Sequence, residues 1–393
     1  MKRSGPDITA VFEHLRDYVE ARQFRGWDPY DALLSPFPFA RLGHWTEVLA
    51  IQANKRLPIN LRPLLGIPPR HNPKSLGLFL EAYALLAQAG DDKARSHCDT
   101  LLELLQGYQS KGFSGACWGY PFPWSGPRKQ LPVFFPSTVV TAMVVRGIHR
   151  LHKLQPDPIP EQFARSIPAF LLHDLPRTED SSGLCFSYTP AKRDICYNAS
   201  LFAAESLARC DAMLGEKQFI EIVGRAVDFV LARQKKEGWW MYSEDPESGA
   251  GRKQTDFHQG FILDSLFHIR RIYGIENARL EEALRKGAAW YFEQQFSAEG
   301  RSLRRLPRKW PADIHAQAQG ILSFSLLKDL HPAYGPFAET IARWTIDKMY
   351  SSQGYFYYQR YPLFTIRTPF MRWAQAWMMN SLVVGNLYRD EKR

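Results

Sequence analysis

Cysteine is scarce in this 393-residue chain and forms no pattern. Cys98, Cys117, Cys185, Cys196 and Cys210 are odd in number and include no C-x-x-C pair. A disulfide framework and a zinc ribbon are therefore unsupported. No apolar run reaches the ~18 residues of a membrane span, and the opening Met1-Lys2-Arg3-Ser4-Gly5-Pro6 leads into no apolar signal core. Acidic side chains are outnumbered, 40 Asp and Glu against 50 Lys and Arg, giving a net charge of +10. No nucleic-acid, metal or cofactor motif accompanies that surplus. The expectation is a soluble, cytoplasmic protein with no metal, no cofactor and no membrane span, whose partner is anionic but not a nucleic acid.

What the chain does have is a repeat. A helix opening at Lys74 recurs at Ser137, Asn198, His258, His315 and Arg372, in steps of 63, 61, 60, 57 and 57 residues. Near-constant spacing of this kind means one supersecondary unit used six times. Each anchor opens a run that is apolar nearly all round, such as Phe261-Ile262-Leu263-Asp264-Ser265-Leu266-Phe267, and such helices belong inside. Helices with a polar face alternate with them, over 45–57, 93–106, 160–172, 216–234, 278–296 and 336–350. Outer helix then inner helix, six times, predicts an all-α (α/α)6 toroid formed by residues 1–393 as one domain. Residues 1–44 are expected to supply an N-terminal helix and a segment over one end of the ring.

The connections are lopsided. Inner-to-outer links are short, while outer-to-inner links run over about 107–136, 176–197, 235–257, 297–314 and 351–370. Loops longer than ~12–15 residues are uncommon unless they carry function. All of these lead into inner-helix N-termini, so they share one rim. Each also holds a Gly followed three residues later by a bulky apolar side chain: Gly115/Trp118, Gly183/Phe186, Gly238/Met241, Gly300/Leu303 and Gly354/Tyr357. The Gly permits a bend and the bulky residue plugs the gap between helix pairs. Basic doublets lie in the same loops, at Arg128-Lys129, Lys192-Arg193, Arg252-Lys253, Arg304-Arg305 and Arg308-Lys309. Six inner helices also aim their positive dipole ends at this rim. Both effects favour an anionic ligand in a central cleft, although cationic doublets are also ordinary solvated loop charge.

Two anchors share one form, Asp256-Phe257-His258 and Asp313-Ile314-His315. An Asp there is first of all a helix cap, since its carboxylate accepts orphan N–H groups. Paired at adjacent repeat positions, the two Asp and two His could also supply a general acid and base. The last repeat is dense in candidate binding groups: Tyr358 and Arg360, then Arg372, Trp373 and Gln375. An Arg at a helix start opposes the dipole, which points to use elsewhere. Carboxylate recognition by Arg372 beside a sugar-stacking Trp373 is the sharp reading; core packing is the bland one for Trp377. Tyr188, Tyr197 and Asn198 enter the third repeat, Trp118 the second, and Arg62 precedes the first inner helix.

Gln234-Lys235-Lys236-Glu237-Gly238-Trp239-Trp240 matches the Q-x-x-x-G-x-W motif of the triterpene-cyclase and protein-prenyltransferase toroids. Their acidic D-x-D-D motif and zinc ligands are missing here, which leaves terpenoid chemistry the weakest reading. Asp28-Pro29-Tyr30-Asp31, Asn60-Leu61-Arg62, Tyr197-Asn198-Ala199, the two Asp-x-His pairs and Arg372-Trp373-Ala374-Gln375-Ala376-Trp377 carry a broader likeness. On them the chain resembles α/α-toroid proteins of bacterial exopolysaccharide biosynthesis, and is similar in architecture to (α/α)-barrel glycoside hydrolases, lyases and uronyl epimerases. The resemblance implies an enzyme of acidic polysaccharide. In a hydrolase, Asp256 and Asp313 would be the acid and base. In an epimerase or lyase, Arg372 would hold a uronate while His258, His315 or Tyr358 moves the proton. The alternative is a non-catalytic polysaccharide-binding scaffold.

Overall fold

The computed structural model describes residues 7–127, 129–154 and 158–386. The opening hexapeptide and Arg128 of the first basic doublet lie outside them. Among the described residues the inner helices are α3 (Pro73–Gln88), α5 (Thr138–Leu154), α7 (Tyr197–Leu214), α9 (His258–Tyr273), α11 (Ile314–Leu326) and a π turn, Met371–Ala376, running into α13 (Trp377–Val384). The outer ring holds α1 (Ile8–Glu20), α4 (Asp92–Gly107), α6 (Pro158–Ala169), α8 (Ile220–Leu231), α10 (Ala278–Gln295) and α12 (Tyr334–Met349). This is the (α/α)6 toroid. The remaining helix, α2 (His44–Arg56), stands on the rim. No described helix is long and apolar enough to cross a membrane.

Burial follows the sequence pattern. In α9 every residue from Gln259 to Leu266 is buried, whereas α8 buries Val223, Ala226, Val227, Phe229, Val230 and Leu231 and leaves Glu221, Arg225 and Asp228 toward solvent. Truncating a core side chain such as Leu263 to Ala would cost about 2–5 kcal/mol. The ring closes between its first and last inner helices, where the Asn380 amide donates to Leu78 O at 3.2 Å and to Glu81 Oε2 at 3.1 Å.

The first outer place is filled differently from the expected 45–57. Helix α1 takes it, burying Ile8, Val11, Phe12, Leu15, Tyr18 and Val19, while α2 buries only Val48, Ile51 and Asn54. The glycines identify the partner. A Cβ on Gly183 (φ +140°) would lie 2.1 Å from the Arg225 carbonyl of the next outer helix. One on Gly354 (φ +83°) would lie 2.6 Å from His14 O in α1, the same relation one repeat round the ring. The expected N-terminal extension is thus divided between an outer helix and a rim segment.

The plug residues also differ from expectation in part. Trp118 and Phe186 are fully buried three places after their Gly, but in the later repeats the buried residue comes two places after it: Trp240, Ser302 and Phe356. The inner-helix side chain at each joint explains the change. Short Thr141 and Ser200 hydroxyls accept from the Trp118 and Phe186 N–H groups (3.1 Å each). Long glutamines reach the earlier residue instead: Gln259 bonds both Trp240 N and O, Gln375 both Phe356 N and O, and Gln317 Ser302 N and Gly300 O.

Among the described residues the rim loops carry ten short strands: β1 (Trp124–Gly126), β2 (Lys129–Leu131), β3 (Arg177–Asp180), β4 (Gly183–Phe186), β5 (Ile195–Cys196), β6 (Ser243–Glu244), β7 (Gly251–Arg252), β8 (Ala312–Asp313), β9 (Gln359–Arg360) and β10 (Thr365–Ile366). Antiparallel β5-β6-β7 joins the loops before α7 and α9, and β8-β9-β10 joins those before α11 and the last inner helix. Inside the ring the helices are less apolar than their sequences read. Arg146 of α5 grips Glu205 of α7 through two bonds of 2.9 and 2.7 Å, and Arg209 and Ser265 bond the same carboxylate. Burial pushes Glu205 up, but Arg146 and Arg209 outweigh it and hold the carboxyl far below its usual range. Such a buried group is costly unless fully paired, and this belt ties neighbouring inner helices together.

Candidate active site

All six anchors, Lys74, Ser137, Asn198, His258, His315 and Arg372, line one cleft of about 1230 Å³ at the rim. Each sits at or near an inner-helix N-terminus, so the repeat brings one residue per unit to a common floor. The walls come from the long loops, with Tyr30 from the N-terminal segment and Lys55 from α2 at the mouth. Lys55 Nζ meets the Tyr30 hydroxyl at 2.5 Å, and the Tyr30 ring lies 5.8 Å from that of Trp373. Fixed charge in the cleft favours an anion. Lys55, Lys192, Arg193, Arg252, Arg304, Arg305 and Arg372 face Asp194, Glu244, Asp245, Glu247 and Asp256. The aromatic side chains of the lining include Tyr120, Trp124, Tyr188, Tyr242 and Trp373.

The first Asp-x-His pair opens onto this space. Asp256 Oδ1 caps the His258 backbone N–H at 3.1 Å and lies 2.5 Å from His258 Nδ1. A carboxylate only accepts, so Nδ1 carries a proton and Nε2 is the ring nitrogen left for a further partner. Gln254 and Arg305 bond the other carboxylate oxygen at 2.9 and 3.3 Å. Burial raises Asp256, but His258 and Arg305 outweigh it and keep the carboxyl below its ordinary value. The His258 ring rests on Phe257 (4.3 Å between centroids) and meets the edge of Tyr242 (4.7 Å).

The second pair is built otherwise. Asp313 caps His315 N at 3.1 Å, but its other bonds go to the Trp373 indole (2.8 Å), Gln359 (2.6 Å) and Arg304 (3.0 Å). Asp313 is buried beneath the cleft rather than in its lining, and it positions Trp373 and Arg304, which are in the lining. His315 lies between Phe257 and Trp377 at 4.4 and 4.5 Å, with neither ring nitrogen hydrogen-bonded or open to water. Burial, then Lys74 and Arg372, push its pKa well down, so it is a neutral ring presented as a surface.

Two basic side chains occupy the floor. Arg372 is clamped by Asp28 through bonds of 2.5 and 2.7 Å, so its outward carboxylate-binding edge is already taken by a residue of the N-terminal segment. Lys74 has no carboxylate within ion-pair reach among the described residues; its ammonium lies 5.4 Å from the Trp377 ring centroid and 5.9 Å from that of Phe261. Burial first, then Arg372, drive its pKa well below the usual lysine value. Lys74 was missed as a site residue by sequence reasoning, although it is the first of the six anchors.

Of the residues expected in the site, Asp256, His258, His315, Arg372, Trp373, Asn198 and Tyr188 line the cleft. The others lie elsewhere. Trp118 is a joint plug whose indole donates to Leu105 O at 2.8 Å, and Gln375 is committed to the Phe356 backbone. Arg62 is buried, paired to Asp31 at 2.7 Å beneath the N-terminal segment. Tyr358 belongs to a small separate core with Ile366 and Phe370, and Tyr197 to the main core. Arg360 stays within its hairpin, donating to Thr365 Oγ1 at 3.1 Å.

Similarity to known proteins is confined to structure. No family model and no curated protein matches the chain. A possible member of the GH105 family from Salmonella enterica serovar Paratyphi A aligns over 97% of this chain and 94% of its own, with TM-score 0.66 and 12% identity. An unsaturated glucuronyl hydrolase specific for heparin aligns over 96% and 95%, with TM-score 0.61 and 13% identity. Cellobiose 2-epimerase from Bacillus thermoamylovorans covers 81% of this chain and 90% of its own, with TM-score 0.63 and 10% identity. At such identities the likeness is one of fold: these carbohydrate-active enzymes share the toroid architecture.

Proposed function

We propose that the protein is a carbohydrate-active enzyme that binds an acidic, uronate-bearing oligosaccharide or polysaccharide of the exopolysaccharide kind, and moves a proton on it as an epimerase or lyase. The carrying observation is the Asp256–His258 pair facing a cleft with a surplus of cationic side chains. Asp256 sets the imidazole so that Nε2 can take the proton α to the uronate carboxylate. Arg305, half exposed beside Asp256, neutralises the carboxylate in place of the already clamped Arg372. Lys74, held toward its neutral form, is the second base an epimerase needs on the opposite ring face. The toroid neighbours, a cellobiose 2-epimerase and a glucuronyl hydrolase among them, support a carbohydrate substrate, and the acidic character rests on the charge of the cleft.

Two-carboxylate hydrolysis is the weaker reading, because both Asp313 oxygens are engaged by other side chains and Asp313 is not part of the cleft lining. A thermal-shift comparison of uronate and neutral oligosaccharides, followed by mass analysis of each hit, tests the proposal. Uronates are expected to raise the melting midpoint and to be altered on incubation. Stabilisation by neutral sugars alone would remove the anionic-cleft argument, and an unaltered uronate would make the protein a binding scaffold.

A further inference from the structure

Exposed apolar side chains are not scattered over this protein. Of the eleven large ones exposed among the described residues, seven fall between positions 37 and 64 and two more are Leu363 and Phe364. Helix α2 turns Trp45 and Leu49, one turn apart, outward at 63% and 64% exposure. The loop after it exposes Leu64 at 85%, and the β9–β10 hairpin tip carries Leu363 at 96%. The two stretches are neighbours on the rim: Trp27 and Tyr361 pack on the same small core of Tyr358, Ile366 and Phe370, Trp27 donates its indole N–H to Ile67 O at 2.9 Å, and Arg62 lies 4.6 Å over Phe370. Apolar patches of this kind mark interaction sites rather than ordinary surface.

Charge decides among partners. Residues 36–70 contain one acid, Glu47, whose carboxylate is turned aside to Ser125 and Gln130. Residues 355–372 contain none. Around the apolar tips stand Arg41, Arg56, Arg70 and Arg367, all exposed. Single leucines at loop tips, a tryptophan on an outward helix face and a cationic surround without exposed acid fit a lipid interface, where tips enter the acyl boundary and arginines meet anionic headgroups. We propose that this rim face docks reversibly on an anionic membrane surface. The cleft mouth, which includes Lys55 of α2, would then open beside the bilayer. This docking is independent of the sugar chemistry and is tested without a sugar.

The test is cosedimentation of the full-length protein with vesicles of phosphatidylcholine alone or with about one-third phosphatidylglycerol. Two double variants accompany it, Leu64→Ser/Leu363→Ser and Arg41→Glu/Arg56→Glu, with melting curves as the folding control. The expected result is binding to the anionic vesicles, weaker on the order of tenfold on the neutral ones and for each variant, with melting unchanged. Wild-type protein left in the supernatant with both vesicles would overturn the proposal, as would variants that bind equally well. So would a self-association that the leucine variant abolishes in sedimentation velocity, since it would assign the face to a second copy of the chain.

Discussion

Asp256-Phe257-His258 and Asp313-Ile314-His315 are the same motif at adjacent positions of one ring, yet they end as different devices. In both, the Asp caps the histidine's backbone N–H at 3.1 Å. The first Asp also holds its own histidine's ring, while the second holds the Trp373 indole and leaves His315 stacked between Phe257 and Trp377. What separates them is the neighbouring loop. Tyr242 and Gln254 flank His258 and leave its outer edge toward the cleft, whereas Gln359 and Trp373 converge on Asp313 from the last repeat. A cap is the part of the motif that the helix requires; any further role is set by residues the motif does not contain.

The comparison breaks most sharply on turnover. Replacing His258 by Gln should lower proton exchange on a uronate by about 10²–10⁴-fold, while the stack-preserving His315→Phe should cost less than about tenfold, as read from initial rates of both variants. Stability should rank the two acids the other way. Asp313→Ala strands Gln359 and Trp373 in a buried setting and removes a cap, so urea unfolding should show a loss of about 2–4 kcal/mol. Asp256→Ala should lose only about 1–2 kcal/mol, because His258 and Arg305 can be rehydrated from the cleft.

A third carboxylate, Asp264, sharpens the contrast. Its bonds come from neutral Gln319 and Ser323, and burial pushes it up to about 7 against the pull of Arg146. A raised folded-state value means the fold binds the extra proton. Its stabilising contribution is therefore full in acid, below the unfolded-chain value, and is lost as pH rises toward 7. The melting midpoint of Asp264→Asn should rise relative to wild type between about pH 4 and about pH 8; Asp256, held below its ordinary value, should show no such gain on conversion to Asn. The smallest effect is expected for His315→Phe on folding, within about 1.5 kcal/mol by thermal melt, since stacking is retained and no hydrogen bond is lost.

The ring and its functional rim were legible because both follow from periodicity: equal spacing forces the six anchors to equivalent places, and all six reach the cleft. The exchange of α1 for α2 was not, since both are 13-residue helices and only packing tells which one fills the outer ring. Arg372 stands out in the sequence as a residue set against helix preference, but its partner Asp28 is 344 residues away, a distance over which pattern carries no information. Lys74 reads in the sequence as one more basic residue of the rim, and its burial without a carboxylate partner among the described residues follows only from packing. The belt around Glu205 stayed hidden for a related reason: single polar residues inside apolar runs do not announce that they meet across helices.

Proton exchange by His258 on an acidic sugar is tested most directly by incubating the protein with a uronate oligosaccharide in D₂O and locating deuterium by mass spectrometry. With wild-type protein the expected result is label at the carbon α to the carboxylate, or loss of that hydrogen with chain elimination, and neither with His258→Gln. Glycosidic cleavage by water with the α-hydrogen fully retained would contradict it.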